Sequence, residues 1–89
     1  IKMKAAVLDT YVKKSDRKLM HFDIIVPEEL KDELKIYNFG KEYLKNKNEN
    51  YSDFGSKECR FCHIENATEE VKSAIEKQGY FIYEMENCD

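Results

Sequence analysis

The sequence predicts an α+β domain in which an N-terminal hairpin is followed by two helix–strand units, in the order β-β-α-β-α-β. Three observations carry this. Two β-prone runs, residues 3–12 and 18–26, are separated only by the polar turn "KKSDRK", and runs this close pair as an antiparallel hairpin. Ile36, Phe39, Gly40, Tyr43 and Leu44 recur at the spacing of one helix face,. Gly79 ends a second periodic stretch and leads straight into the aromatic run "YFIYEM",. A hairpin followed by two crossovers gives a mixed sheet with two helices packed on one face or both.

Each element has a local reason. In the second run, Met20, Phe22, Ile24 and Val26 alternate onto one purely apolar face, expected to point at the core,. His21 and Asp23 alternate onto the other, wetter face. Pro27 ends the strand and suits a first helical turn, so the first helix is read over residues 28–46, with Leu30 and Leu34 fitting its stripe less well. "NKNENYSDFGS" (46–56) reads as the longest loop. "KECRFCHI" (57–64) reads as a strand. Asn66 and Thr68 are both candidate N-caps for a helix reaching Gln78, with Val71, Ala74 and Ile75 inward,. Residues 1–89 are read as one domain, consistent with the length,.

Composition excludes several classes. Charged residues make up 37% with a net charge of −3, whereas nucleic-acid binders usually carry a basic stripe. The cluster Lys13, Lys14, Arg17 and Lys18 reads as a solvated turn. No apolar run approaches the ~18 residues that span a bilayer, and no segment has the pattern of a signal peptide. Three cysteines is an odd number, short of a disulfide scaffold,. Reduced thiols in a cytoplasm are therefore the expectation, with neither nucleic acid nor membrane as partner.

The chemistry concentrates in two places. Cys59-Arg60-Phe61-Cys62-His63 is a C-x-x-C-H pattern. Haem attachment would need export and a large flat pocket. A redox dithiol would need Cys59 at a helix N-terminus, but the next helix starts only after Asn66. Cys59 and Cys62 have the spacing of half a zinc site, completed from His63, Cys88 or His21. Against this, a regular strand would turn Cys59, Phe61 and His63 to one face and Arg60, Cys62 and Ile64 to the other. Buried cysteines in an ordinary strand core are the simpler reading. The second place is the hairpin, where Asp9, Thr10, Tyr11, His21 and Asp23 come together, with His21 read roughly opposite Thr10. A carboxylate beside an imidazole can fix its tautomer and support base chemistry, although a solvated His–Asp pair is far commoner.

"DTYV" (9–12), "MHFD" (20–23), "ECRFCH" (58–63) and "GYFIYEME" (79–86) followed by Cys88 together resemble a small bacterial family, domain of unknown function twenty twenty-four. The stretch "PEELKDELK" (27–35) is longer than that resemblance leads one to expect. It implies a compact α+β domain and transfers no activity, substrate or cofactor. It does direct attention to Asp9, His21, Asp23, Glu58, Cys59, Cys62, His63 and Cys88. The functional expectation is a non-enzymatic binding or interaction module, with self-association as its partner reading and no cofactor. The alternatives are a zinc-binding domain on Cys59 and Cys62, or a small thiol-redox or His/Asp-dependent enzyme.

Overall fold

The computed structural model describes residues 3–47, 51–53 and 59–88. Its elements are β1 (Lys4–Lys14), β2 (Leu19–Pro27), α1 (Glu33–Asn46), β3 (Tyr51–Asp53), β4 (Cys59–Asn66), α2 (Glu69–Gln78) and β5 (Phe81–Glu86). The α+β class and the predicted succession of hairpin, helix, strand, helix and strand are those observed. One short strand, β3, is added inside the stretch read as a loop; it pairs with the end of β1 at Lys13 and Lys14.

The sheet is antiparallel throughout, not mixed. Its order is β3-β1-β2-β5, with β4 also on the outer edge of β1,. The reason lies in where the crossovers land. The chain leaves β2, passes through α1 and returns beyond β1, so β4 runs parallel to β2 with β1 between them. After α2 it returns at the opposite edge, antiparallel to β2. Parallel strands never become neighbours.

The two faces of the sheet bury different helices. Ala6, Val12, Met20, Phe22, Ile24 and Val26 form the larger core with Ile36 and Leu44 of α1, and with Tyr80 and Cys88. The expected inward face of β2 is fully buried here. Ala5, Val7 and Ile25, which alternate to the other face, pack with Val71 and Ile75 of α2. The helices therefore lie on opposite faces, and α2 covers only one end of its face. The other end holds Asp9, Tyr11, His21 and Asp23.

Helix α1 begins five residues later than the pattern 28–46 suggests. Asp32 is its N-cap, accepting from the N–H groups of Leu34 and Lys35 at 3.1 and 3.2 Å,. A carboxylate that satisfies these two orphan donors fixes the start there. Residues after Pro27 form a turn instead, closed by Leu30 N–H donating to Pro27 O at 3.0 Å. Thr68 rather than Asn66 caps α2, and Gly79 ends it at φ 98°, a left-handed conformation that disfavours any side chain. Tyr43 on α1 donates to Glu84 on β5, and Glu84 also pairs with Lys47,. Burial and that carboxylate hold the Tyr43 phenol far above its ordinary range. No helix among the described residues is long and apolar enough to cross a membrane.

Candidate functional site

The register of the hairpin builds the site. Asp9 stands directly opposite Asp23, and Tyr11 directly opposite His21. The expected pairing of His21 with Thr10 is thus one residue off. That single step matters, because shifting register by one exchanges faces. It puts Asp9 and Tyr11 on the same face as His21 and Asp23. Thr10 goes to the opposite face, where it is fully buried and its hydroxyl donates to Leu8 O at 3.4 Å.

The Tyr11 ring stacks on the His21 imidazole at 4.1 Å and 11°, which fixes the plane of the imidazole. His21 Nε2 then lies 3.7 Å from Asp9 Oδ1 and 3.9 Å from Asp23 Oδ1. One ligand atom from each of Asp9, His21 and Asp23 lies within 4.8 Å of the others. His21 Nε2 and Asp23 Oδ1 are buried and make no hydrogen bond among the described residues. Such atoms are costly to leave unpaired, and like charges directly opposite on a sheet destabilise it. Burial first, and then the hydrogen bond and charge of Asp9, push the Asp23 carboxyl up to about 6. The hydrogen bond with Asp23 is the main reason the Asp9 carboxyl lies below its usual range, with His21 adding to it. Without a cation the two carboxyls would share a proton only below about pH 6,.

Strand β4 approaches from the outer edge of β1. Val7 pairs with His63, yet Leu8 pairs with Phe61, so Cys62 is an extra residue in a β-bulge. The regular alternation considered from the sequence does not hold across it. The bulge leaves Cys59 and Phe61 registered with Thr10 and Leu8, on the side of the larger core, and Cys59 packs against that core. Cys62 instead reaches the other face, where the Asp9 carboxyl acts on its thiol. Loss of hydration at the sulfur, followed by the charges of Asp9, Asp23 and Glu65, holds its thiol above the ordinary value. Its Sγ is 3.2 Å from His63 Nδ1, and His63 Nε2 is 2.8 Å from Glu65 Oε1. Beside these groups a cleft of about 320 Å³ runs to the N-terminal turn of α2, walled by Asp23, His63, Glu65, Glu70, Val71 and Phe81.

The ligand set Cys59, Cys62, His63, Cys88 and His21 therefore does not converge. Cys59 and Cys88 pack on the larger core, and the Cys88 thiol donates to His21 O at 3.3 Å. Cys62, His63 and the His21 ring are on the other face. What converges is the carboxylate–imidazole group of Asp9, His21 and Asp23, flanked by Cys62 and His63. Glu58 lies outside the described residues. Glu65 escaped the sequence reading, although its place two residues after His63, on the same face of a strand, was a usable signal.

No curated protein matches the chain. The solved NMR structure of protein NE1680 from Nitrosomonas europaea is similar to it, with a TM-score of 0.83 at 45% identity, covering 98% of this chain and 100% of that one. The antiparallel sheet and its two helices are thus shared with an experimentally determined fold. Residues 3–85 match the family described as Domain of unknown function (DUF2024), and the chain belongs to that family.

Proposed function

We propose that the protein is a small binding domain whose ligand is a divalent cation, held by Asp9, His21 and Asp23 on the exposed end of the sheet. The observation that carries this is the convergence of three ligand atoms, two of them buried and without hydrogen bonds. Adjacent donors around a tetrahedral or octahedral ion with bonds of ~2.1 Å stand ~3.0–3.4 Å apart. The separations of 3.7 and 3.9 Å from His21 Nε2 are a few tenths of an ångström wider, a gap that small side-chain rotations close around an ion. A cation would relieve the repulsion between the two carboxylates and give both orphaned atoms a partner. The free thiols of Cys62 and Cys88 fit a reducing, cytoplasmic setting.

The test is metal content of the full chain after equilibration with zinc and desalting, beside binding calorimetry of Asp9→Asn and His21→Ala. One bound equivalent in the parent chain, lost in both variants, is the expected result. A parent chain that retains no metal, or variants that bind as well as it does, overturns the assignment.

Self-association is a second reading, favoured by one observation. Phe61 is 62% exposed on β4, which pairs only with β1 among the described strands. An outer strand with an exposed aromatic residue is a surface on which a second copy can add. Sedimentation that shows a monomer at every concentration tested would exclude it.

A further inference from the structure

We infer that a second copy of this chain adds across the outer edge of β4, antiparallel and about a two-fold axis at His63, so that Arg60 of each copy faces Glu65 of the other and Phe61 faces Ile64. This rests on the self-association reading and deepens it by naming the strand, the register and the residue pairs.

The edge has the right surface. Strand β4 pairs only with β1 among the described strands, and its residues from Arg60 to Ile64 are exposed. Residues directly opposite on antiparallel strands share a face, so the register with β1 places each β4 side chain. Phe61 stands opposite Leu8 and Ile64 opposite Ala6, on the face of the larger core. Phe61 and Ile64 are nonetheless 62% and 37% exposed. An apolar groove of about 330 Å³ lies beside Phe61, walled by Ala6, Leu8, Leu30 and Ile36, so the larger core is left open at this edge. Arg60 stands opposite Asp9 and Glu65 opposite Ala5, on the other face.

The bulge is what lets these residues meet. In a regular strand residues 60 and 65, and likewise 61 and 64, are an odd number apart and point to opposite faces. Across a two-fold axis normal to the sheet, opposed residues must share a face, so neither pair could form. The extra residue, Cys62, changes that parity,. Counted past it, Phe61 and Ile64 each lie one position from His63, and Arg60 and Glu65 each lie two. A two-fold axis at His63 then sets apolar against apolar on one face and guanidinium against carboxylate on the other, each pair formed twice. His63 Nε2 engages one oxygen of Glu65 at 2.8 Å, and a carboxylate has a second to accept the guanidinium. Strand β5, at the opposite edge, has Glu84 and Glu86 as its charged residues and no cation of its own to set against them.

The experiment is sedimentation equilibrium of the full chain in chelator, which removes any bridging metal. It is run beside Arg60→Glu, Glu65→Arg and the exchange that carries both substitutions, with circular dichroism to confirm the fold. The parent chain is expected to dimerise. Each single substitution should raise the dimer dissociation constant by at least ~10-fold, because the symmetry places two like-charge pairs in one contact. The double exchange should return it to near the parent value. An NMR sample that mixes labelled and unlabelled parent chains should show contacts from the Phe61 ring of one copy to the Ile64 methyls of the other, a test that needs no substitution. A dimer that lacks those contacts, or folded single variants that associate as tightly as the parent, overturns the register while self-association stands. A parent chain that is monomeric at every concentration overturns both and leaves the cation reading untouched.

Discussion

Replacing Asp23 by asparagine should stabilise the metal-free protein at neutral pH and leave it unchanged at pH 4. Asparagine has the shape of a protonated aspartic acid, and its amide N–H can donate to Asp9 where the shared proton did. The variant therefore mimics the parent chain with Asp23 permanently protonated. The Asp23 carboxyl has an ordinary value of 3.8 and is pushed up to about 6 by folding. A group raised in this way favours the folded state most while both states are protonated. That advantage declines as pH rises from about 4 to about 6, where the unfolded chain has ionised and the folded one has not. The full displacement corresponds to ~3 kcal/mol. Asp9 is 37% exposed, so water and salt screen the repulsion, and ~1 kcal/mol is the more realistic size. The lowered Asp9 carboxyl acts in the opposite sense but below pH 4, outside this window. The assay is urea denaturation of both chains in chelator from pH 4 to 8, taking the difference between the curves so that other carboxylates cancel. The variant should gain ~1 kcal/mol across the window, a rise of ~4–8 °C in Tm. With saturating zinc the order should reverse, because the variant has lost a ligand. A difference that is flat with pH, or a variant less stable throughout, would refute the reasoning about the carboxylate pair.

Three further outcomes are expected. Zinc at 100 times its dissociation constant should stabilise the parent chain by ~2.7 kcal/mol, seen as a higher Tm that chelator reverses and that His21→Ala does not show. Gly79→Ala should cost ~1–2 kcal/mol, because residue 79 has φ 98° and a Cβ there would meet Phe39 Cζ at 3.2 Å,; equal Tm values for the two chains would contradict this. Thr68→Ala should cost ~1 kcal/mol by removing the acceptor for Val71 N–H at 3.2 Å,, and amide exchange at Val71 should quicken.

How much of this was legible depended on whether the controlling interaction was local. The inward face of β2, the α1 stripe and the Gly79 stop follow from periods of 2 and 3.6 and from one residue's backbone freedom, all written within a few neighbours. The start of α1 was also local, but Pro27 drew attention away from Asp32, whose side chain does the capping. The antiparallel sheet was not local, since it depends on which edge each crossover reaches. Nor was the hairpin register, where one step separates a His21–Thr10 pairing from the observed His21–Tyr11 and decides whether Asp9 joins the site. The bulge was the least accessible feature. Alternation put Cys59 and Cys62 on opposite faces unless the chain turned there, and left His63 with Cys59. It could not show that an extra residue would send Cys62 and His63 toward Asp9 together.

The division of labour between the faces explains how so small a domain can carry an unfavourable cluster. Phe22, Met20, Ile24 and Val26 are fully buried on the α1 side, and each such side chain contributes ~1.5–3 kcal/mol. On the other side α2 covers only the end at Ala5, Val7 and Ile25. A longer α2, or apolar residues at 9, 21 and 23, would extend that packing over the whole face and add stability. The sheet instead presents two opposed carboxylates and an imidazole there, with a bulged cysteine at their side. Three features of this local arrangement run against folding alone: like charges across a ladder, buried atoms without hydrogen bonds and a broken edge pairing. Such departures from an otherwise self-consistent pattern concentrate at functional sites. The cation proposed for this site would act on two of these at once, by bridging the charges and filling the orphaned positions.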